Sequence, residues 1–100
     1  MEELIERSLK GDQDAYTELI KSIQVEMYKI ANSQLNNIED VNDAIQETII
    51  HSYNKLHTLK KHDFFKTWII RILINECHNI HRKRKKQLGL FNKISNSVNI

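Results

Sequence analysis

Residues 64–86 read FFKTWIIRILINECHNIHRKRKK, and this stretch decides the class of fold. Its apolar side chains recur at steps of three and four, which is the period of one face of an α-helix. The positions on that face are Phe65, Trp68, Ile69, Ile72, Leu73 and Ile80. We therefore predict a helix over residues 64–86, with Asp63 as its N-cap. Phe65 and Trp68 are expected to supply much of the core.

Three further helices are predicted upstream, because the same apolar spacing continues through the rest of the chain. Their expected bounds are residues 2–10, 12–36 and 37–56. Gly11 is a plausible stop for the first helix, and Asp12 can cap the second. Asn37 followed by Asp40 resembles a capping box for the third helix. Together with residues 64–86, these segments predict an all-α fold, a compact bundle of three long helices plus a short N-terminal helix.

The composition supports this fold class and a single domain. One hundred residues allow one modest core, and the absence of proline with only two glycines argues against the many tight turns of a sheet protein. We predict one helical domain over residues 1–86. Residues 87–100 are rich in Asn and Ser and lack a sustained apolar period, so we expect the start of a flexible interdomain linker or tail.

The location of the protein is also predicted from composition. Met1-Glu2-Glu3 does not resemble the basic start of a signal peptide, and no apolar run approaches the roughly 20 residues that span a bilayer. The single cysteine, Cys77, cannot form an internal disulfide, which fits a reducing compartment. We therefore expect a cytoplasmic protein with no direct membrane insertion.

The charges are divided unevenly along the chain. Residues 1–54 hold eleven acidic and four Lys or Arg side chains, a formal charge of −7. Residues 55–100 hold eleven Lys or Arg and two acidic side chains, a formal charge of +9. This division predicts two partners, one neutral or basic and one polyanionic.

No motif for catalysis or metal binding is evident in the sequence. Cys77, His78 and His81 come closest to a metal cluster, but their spacing divides them between helix faces. Asp40 and Asp43 are expected on the exposed face of the third helix, where nothing nearby would separate their pKa values for acid–base work. We predict a protein that is not an enzyme and binds no cofactor or metal.

The fourth helix and the loop before it favour contact with nucleic acid. Five consecutive cations end the predicted helix, and Asn75 and Asn79 lie about two turns and one turn before them, where amides can read base edges while cations hold phosphates. The predicted nucleic-acid-binding residues are Lys60, Lys61, His62, Lys66, Arg71, Asn75, Asn79, Arg82, Lys83, Arg84, Lys85 and Lys86. A calmodulin-like or membrane-surface role for this basic amphipathic segment is the alternative.

Several segments, in order, resemble region 2 of the extracytoplasmic-function (ECF) group of sigma-70-like bacterial sigma factors. They are Leu4-Ile5-Glu6-Arg7, Lys10-Gly11-Asp12-Gln13-Asp14-Ala15-Tyr16, Met27-Tyr28-Lys29-Ile30-Ala31, Asp40-Val41-Asn42-Asp43-Ala44-Ile45-Gln46-Glu47-Thr48, and Phe65-Lys66-Thr67-Trp68-Ile69-Ile70-Arg71-Ile72. The resemblance implies a transcription initiation factor. Its acidic third helix, with Asp40, Asp43, Gln46 and Glu47, would dock on the clamp helices of the polymerase beta-prime subunit.

The resemblance also implies that the loop at residues 59–64, together with Arg71, Asn75 and Asn79, binds the single-stranded promoter minus-10 element, melts it and holds a flipped base. Sigma factors of this group carry a second, minus-35-binding domain after a linker and are commonly held inactive by an anti-sigma factor, which is a further expected partner. The loop here, Thr58-Leu59-Lys60-Lys61-His62-Asp63, is bulkier and more basic than the family's usual loop. That departure motivates an alternative, a stand-alone helical module that binds nucleic acid or an anti-sigma factor and has lost promoter function.

Overall fold

A computed structural model describes residues 1–98, and every regular element in that range is helical. The helices are α1 (Glu2–Leu9), α2 (Gln13–Gln34), α3 (Ile38–Lys55) and α4 (Phe65–Val98). Two short 3-10 turns, Leu56–Thr58 and His62–Phe64, lie between α3 and α4. The predicted all-α class, with three long helices and one short one, is confirmed.

The helix starts follow from short polar side chains in the sequence. Asp12 Oδ1 accepts a hydrogen bond from the Ala15 amide at 3.1 Å and caps α2. Asn37 Oδ1 accepts from the Asp40 amide at 2.8 Å and caps α3. Gly11 has a φ of +98°, a conformation that favours glycine, and it ends the first helical segment. The predicted roles of Asp12, Asn37 and Gly11 are confirmed, but the Asp40 carboxylate accepts from the Asn37 side chain and not from its backbone amide, so the capping box is incomplete.

The core is centred on a stripe of α4 that repeats every four residues. Phe65, Ile69, Leu73 and Cys77 are all fully buried, and they form one cluster with apolar side chains of the other helices. Cys77 is therefore a core residue, although the sequence analysis considered it beside the histidines. Trp68 was expected to face inward but is only partly buried at the edge of the cluster.

Polar groups inside the core are paired with one another. The Tyr16 hydroxyl donates to Ser52 Oγ, which links α2 to α3. Thr48 Oγ1 donates to the Ala44 carbonyl at 2.7 Å within α3. Burial raises the pKa of Tyr16 to about 12, so its hydroxyl stays protonated and able to donate. Among residues 1–98 no buried side-chain nitrogen or oxygen lacks a partner.

The two ends of α4 differ from the prediction. Asp63 lies in the turn His62–Phe64, and within the described residues its carboxylate makes no hydrogen bond, so the predicted cap is wrong. The expected helix end near Lys86 is also wrong, since α4 continues through Val98. No proline interrupts this segment, and Gly89 alone weakens a helix by only about 1 kcal/mol. Whether residues 87–100 link two domains stays a prediction.

The extension of α4 makes the molecule elongated, with dimensions of 63 × 22 × 21 Å. Its large apolar side chains, Leu88, Leu90, Phe91 and Ile94, are all more than half exposed. They add nothing to the core, which ends near Ile80 on this helix. No helix within residues 1–98 is both long enough and apolar enough to cross a membrane.

Two adjacent phenylalanines provide a test of this packing. Phe65 is fully buried, whereas Phe64 is 54% exposed. We expect Phe65→Ala to lower the free energy of unfolding by about 3–5 kcal/mol, because it removes core contacts and leaves a cavity. Phe64→Ala should change it by less than about 0.5 kcal/mol. Urea denaturation measures both values, and equal losses in the two variants would contradict the proposed core.

Candidate nucleic-acid interface

One face of α4 points away from the core and carries polar and basic side chains. Arg71, Asn75, Arg82 and Lys86 recur at helical spacing on this face, and all four are exposed. Asn79, predicted to act beside Asn75, is instead partly buried, and its carbonyl oxygen accepts a hydrogen bond from Arg82. The structure therefore presents Asn75 to solvent but leaves Asn79 less available.

The predicted binding residues form a line and not a compact patch. Twenty residues separate Lys66 from Lys86 on α4, which corresponds to about 30 Å along the helix axis. The loop cations lie before one end of this line, and the cation run lies at the other. An elongated polyanion suits such an arrangement better than a single phosphate group does.

The loop between α3 and α4 is held at its base by buried leucines. Leu56 and Leu59 are buried, whereas Lys60 and Lys61 are exposed. The Lys61 ammonium lies 5.9 Å from the centre of the exposed Phe64 ring. A surface hollow of about 490 Å³ lies here. It is lined by Glu2, Lys60, Lys61, His62, Asp63 and Phe64. The hollow is large enough for a nucleobase and offers an aromatic face, cations and two carboxylates.

Several of the predicted cations already have partners within the protein. Lys66 Nζ lies 2.7 Å from a carboxylate oxygen of Glu26 on α2. His62 Nδ1 lies 2.5 Å from Glu2 Oε1. Within residues 1–98 no ion pair involves Lys60, Lys61, Arg71, Arg82, Lys83, Lys85 or Lys86. Lys61 lies beside the Phe64 ring and Arg82 donates to Asn79, so the other five are the cations most available to an external anion.

The predicted polymerase-binding residues of α3 fall into two groups. Asp43, Gln46 and Glu47 are exposed, as predicted. Asp40 is only 8% exposed, so its expected place on the open face is wrong. It lies four residues before the buried Ala44 and so shares the core-facing side of the helix. That spacing was available in the sequence and was missed.

The partner of Asp40 is Arg84. Arg84 Nη2 donates to Asp40 Oδ1 at 2.7 Å, and Arg84 Nε donates to Asp40 Oδ2 at 3.0 Å. Arg84 follows the buried Cys77 by seven residues and therefore points back toward α3. The hydrogen bonds from Arg84 hold the pKa of Asp40 below its usual value, and those to Asp40 raise the pKa of Arg84. Both groups are therefore charged at neutral pH.

This pair joins two sites that the sequence analysis assigned to different partners. Asp40 was predicted to bind polymerase and Arg84 to bind nucleic acid. A groove of about 980 Å³ runs beside them, with the acids of α3 on one wall and the cations of α4 on the other. His51 of α3 and Glu76 of α4 also meet in this groove, with Nδ1 of His51 2.7 Å from Glu76 Oε1. No sequence pattern predicted that contact, because 25 residues separate the two.

Comparison with known proteins identifies relatives of this chain. Residues 19–87 match the family described as Sigma-70 region 2. The chain is 31% identical over 81 residues to the ECF RNA polymerase sigma factor SigW of Bacillus subtilis (strain 168), a match that covers 81% of this chain and 43% of that protein. It is 33% identical over 76 residues to the ECF RNA polymerase sigma-E factor of Escherichia coli (strain K12), covering 76% and 39% respectively. The chain thus spans about two fifths of the length of these relatives.

A solved structure has a similar fold. It is the NMR structure of the complex formed by an engineered region 2 of sigmaE with GTAAAA. The TM-score is 0.73 and the sequence identity is 30%, over 85% of this chain and 88% of that chain. The similarity therefore extends over nearly the whole of both chains.

The Asp40–Arg84 pair predicts a dependence of stability on pH. A carboxyl whose pKa is lower in the folded than in the unfolded state stabilises the fold above its unfolded value, about 3.9, and loses that effect as the pH falls through the folded value. We expect the free energy of unfolding to fall below about pH 4, and Arg84→Gln to remove part of that fall. High salt should reduce the difference, because the Arg84 side chain is 56% exposed.

The matched control is Lys85→Gln, which removes an adjacent, exposed positive charge. The pKa of Asp12 is also lowered, by its hydrogen bond from Arg7, but this pair is present in every variant. The difference between variants therefore reports the contribution of the Asp40–Arg84 pair to stability. Urea denaturation at several pH values measures the effect. If the free energy of unfolding fell equally below about pH 4 in Arg84→Gln and Lys85→Gln, the expectation would be contradicted.

Proposed function

The chain belongs to the Sigma-70 region 2 family, and we propose that it binds core RNA polymerase and recognises and melts the promoter minus-10 element. The observation that supports this most strongly is that an exposed acidic face on α3 and an exposed basic face on α4 lie on adjacent packed helices. On this proposal the domain acts in the cytoplasm with polymerase and performs no catalysis itself.

The polymerase side of the proposal rests on α3. Asp43, Gln46 and Glu47 are exposed and suit a basic surface such as the beta-prime clamp helices. Asp40 has its carboxylate on Arg84, so we assign it an indirect role. It orients the start of α3 against α4 and does not touch polymerase directly.

The nucleic-acid side rests on α4 and the loop before it. Lys83, Lys85 and Lys86 supply phosphate contacts, which give affinity without sequence preference. Asn75 is exposed on the same face and can bond to base edges. The exposed ring of Phe64 borders the loop hollow, where an unpaired base can stack. Extruding a base costs a few kcal/mol, which phosphate contacts and stacking together offset.

A second protein partner is favoured by the end of α4. Leu88, Leu90, Phe91 and Ile94 are exposed on a helix that extends beyond the core. Scattered apolar side chains are ordinary on a surface, but four within seven residues suit a protein contact. This observation favours the alternative of a regulatory module bound by an anti-sigma factor. The two functions differ in whether the isolated chain, with polymerase, discriminates between single-stranded sequences.

Charge reversal on α3 tests the polymerase contact. We expect Asp43→Arg to weaken binding to a beta-prime clamp-helix fragment at least tenfold, about 1.4 kcal/mol, because it opposes like charges across the interface. Glu18→Arg, an equal change in charge at an exposed position of α2, should leave binding nearly unchanged. Isothermal titration calorimetry measures both affinities. Equal effects of the two substitutions would argue against a specific role for α3.

Two substitutions on α4 separate sequence reading from phosphate binding. Asn75→Ala should change the base preference of the chain for single-stranded oligonucleotides, with polymerase present, and leave the salt dependence alone. Lys85→Gln should weaken all sequences alike and reduce the slope of log affinity against log salt concentration by about 0.7. Fluorescence anisotropy at several salt concentrations measures both. A wild type that binds every sequence equally under these conditions would support the regulatory alternative.

A further inference from the structure

Three side chains in the groove between α3 and α4 bring metal-binding atoms together. They are Glu47 and His51, one turn apart on α3, and Glu76 on α4. One donor atom from each lies within 4.8 Å of the other two. His51 Nδ1 is 2.7 Å from Glu76 Oε1, and His51 Nε2 is 3.7 Å from Glu47 Oε2.

Glu76 is positioned to orient the imidazole of His51. Its side chain is only 12% exposed, so few competing water molecules reach its carboxylate. An ionised carboxylate is a hydrogen-bond acceptor only. When the imidazole is neutral, its proton therefore lies on Nδ1, which faces Glu76, and Nε2 keeps a free lone pair. Metal-binding histidines commonly donate their second ring N–H to a carboxylate in this way, which fixes the tautomer and increases ligand basicity.

The free nitrogen faces a second donor at a suitable separation. Metal–ligand distances of about 2.0–2.2 Å place neighbouring donors in a tetrahedral zinc site about 3.3–3.5 Å apart. The observed 3.7 Å between Nε2 of His51 and Glu47 Oε2 is within a few tenths of an ångström of that value. Glu47 is 53% exposed, so its side chain can make this adjustment without disturbing the core.

We propose that Nε2 of His51 and the carboxylate of Glu47 bind a divalent transition-metal ion such as Zn²⁺, with Glu76 orienting the imidazole and water completing the coordination. An imidazole with a carboxylate suits zinc better than magnesium or calcium, which prefer all-oxygen sites. Arg82, Lys83 and Lys86 line the same groove and oppose a cation, while the charge of Arg84 is balanced by Asp40. Because these cations repel a metal ion and only two side chains bind it, we expect a modest affinity for Zn²⁺.

If the proposed function holds, metal binding at this site would affect the contact with polymerase. Glu47 is also one of the exposed α3 residues assigned to polymerase, so a bound metal would compete with that contact. The proposed site does not include Cys77, His78 or His81, which come closest to a metal cluster in the sequence. Cys77 is fully buried in the core. The site depends on α3 and α4 packing side by side.

Cobalt binding to the whole chain tests the site without any need for polymerase. We expect Co²⁺ to produce saturable visible absorption bands with a stoichiometry of one, which Zn²⁺ displaces. His51→Gln and Glu47→Gln should each weaken Co²⁺ binding at least about tenfold. His57→Gln, which removes an exposed histidine just after α3, should have no effect. Circular dichroism verifies that each variant keeps its helices.

Each result of this experiment bears on the site alone. Saturable bands lost in His51→Gln and Glu47→Gln but kept in His57→Gln would support it. Absence of saturable bands, bands that survive His51→Gln, or equal loss in His57→Gln would overturn it. None of these outcomes affects the proposed function, which the polymerase and oligonucleotide measurements test separately.

Discussion

Burial of one stripe of α4 against α2 and α3 is the interaction on which the other features of this molecule depend. Phe65, Ile69, Leu73 and Cys77 have no exposed surface, and this stripe fixes the rotation of α4 about its own axis. Once that rotation is fixed, the opposite face of the helix must carry Arg71, Asn75 and Arg82 to solvent. The side chains between those two faces must meet α3.

The flank of α4 that meets α3 explains the polar contacts across the groove. Arg84 continues the core-facing side beyond the last buried residue and reaches Asp40, while Glu76 lies closer to the core and reaches His51. The Asp40 carboxylate is largely removed from water, and a buried charge is stable only when it is paired with good geometry. The two hydrogen bonds from the half-exposed Arg84 supply that pairing. The acidic and basic halves of the chain are therefore connected at defined points. Charges such as those of Asp43 and Lys85, which make no ion pair within residues 1–98, stay available to partners.

The match to the Sigma-70 region 2 family covers both of these surfaces. The matched region, residues 19–87, includes α3, the loop and the part of α4 that carries the cations. The loop is more basic than the family pattern suggested, yet Leu56 and Leu59 hold its base in the core, and the exposed ring of Phe64 lies beside its lysines. A loop of this kind combines a fixed position with an accessible aromatic surface, which is what binding of an unpaired base requires.

The class of fold, the end of α1, the starts of α2 and α3, and much of the exposed basic face could be predicted from the sequence. These features depend on local rules, namely apolar periodicity, side chains that cap helix starts, and the need of glycine at a positive φ. Periodicity alone placed Trp68 on the inward face, although it lies at the edge of the core. The Asn and Ser residues after Lys86 suggested a helix end, but they are too weak as helix breakers to stop α4 there.

Which polar side chains are free and which are paired follows from the packing of the helices and could not be predicted from the sequence. Asp40 and Arg84 are 44 residues apart, and His51 and Glu76 are 25 apart, so no local rule relates them. Their distances depend on how far α3 and α4 slide and rotate against each other, which the packing of the whole core sets. The charges are visible in the sequence, but their partners follow from the fold.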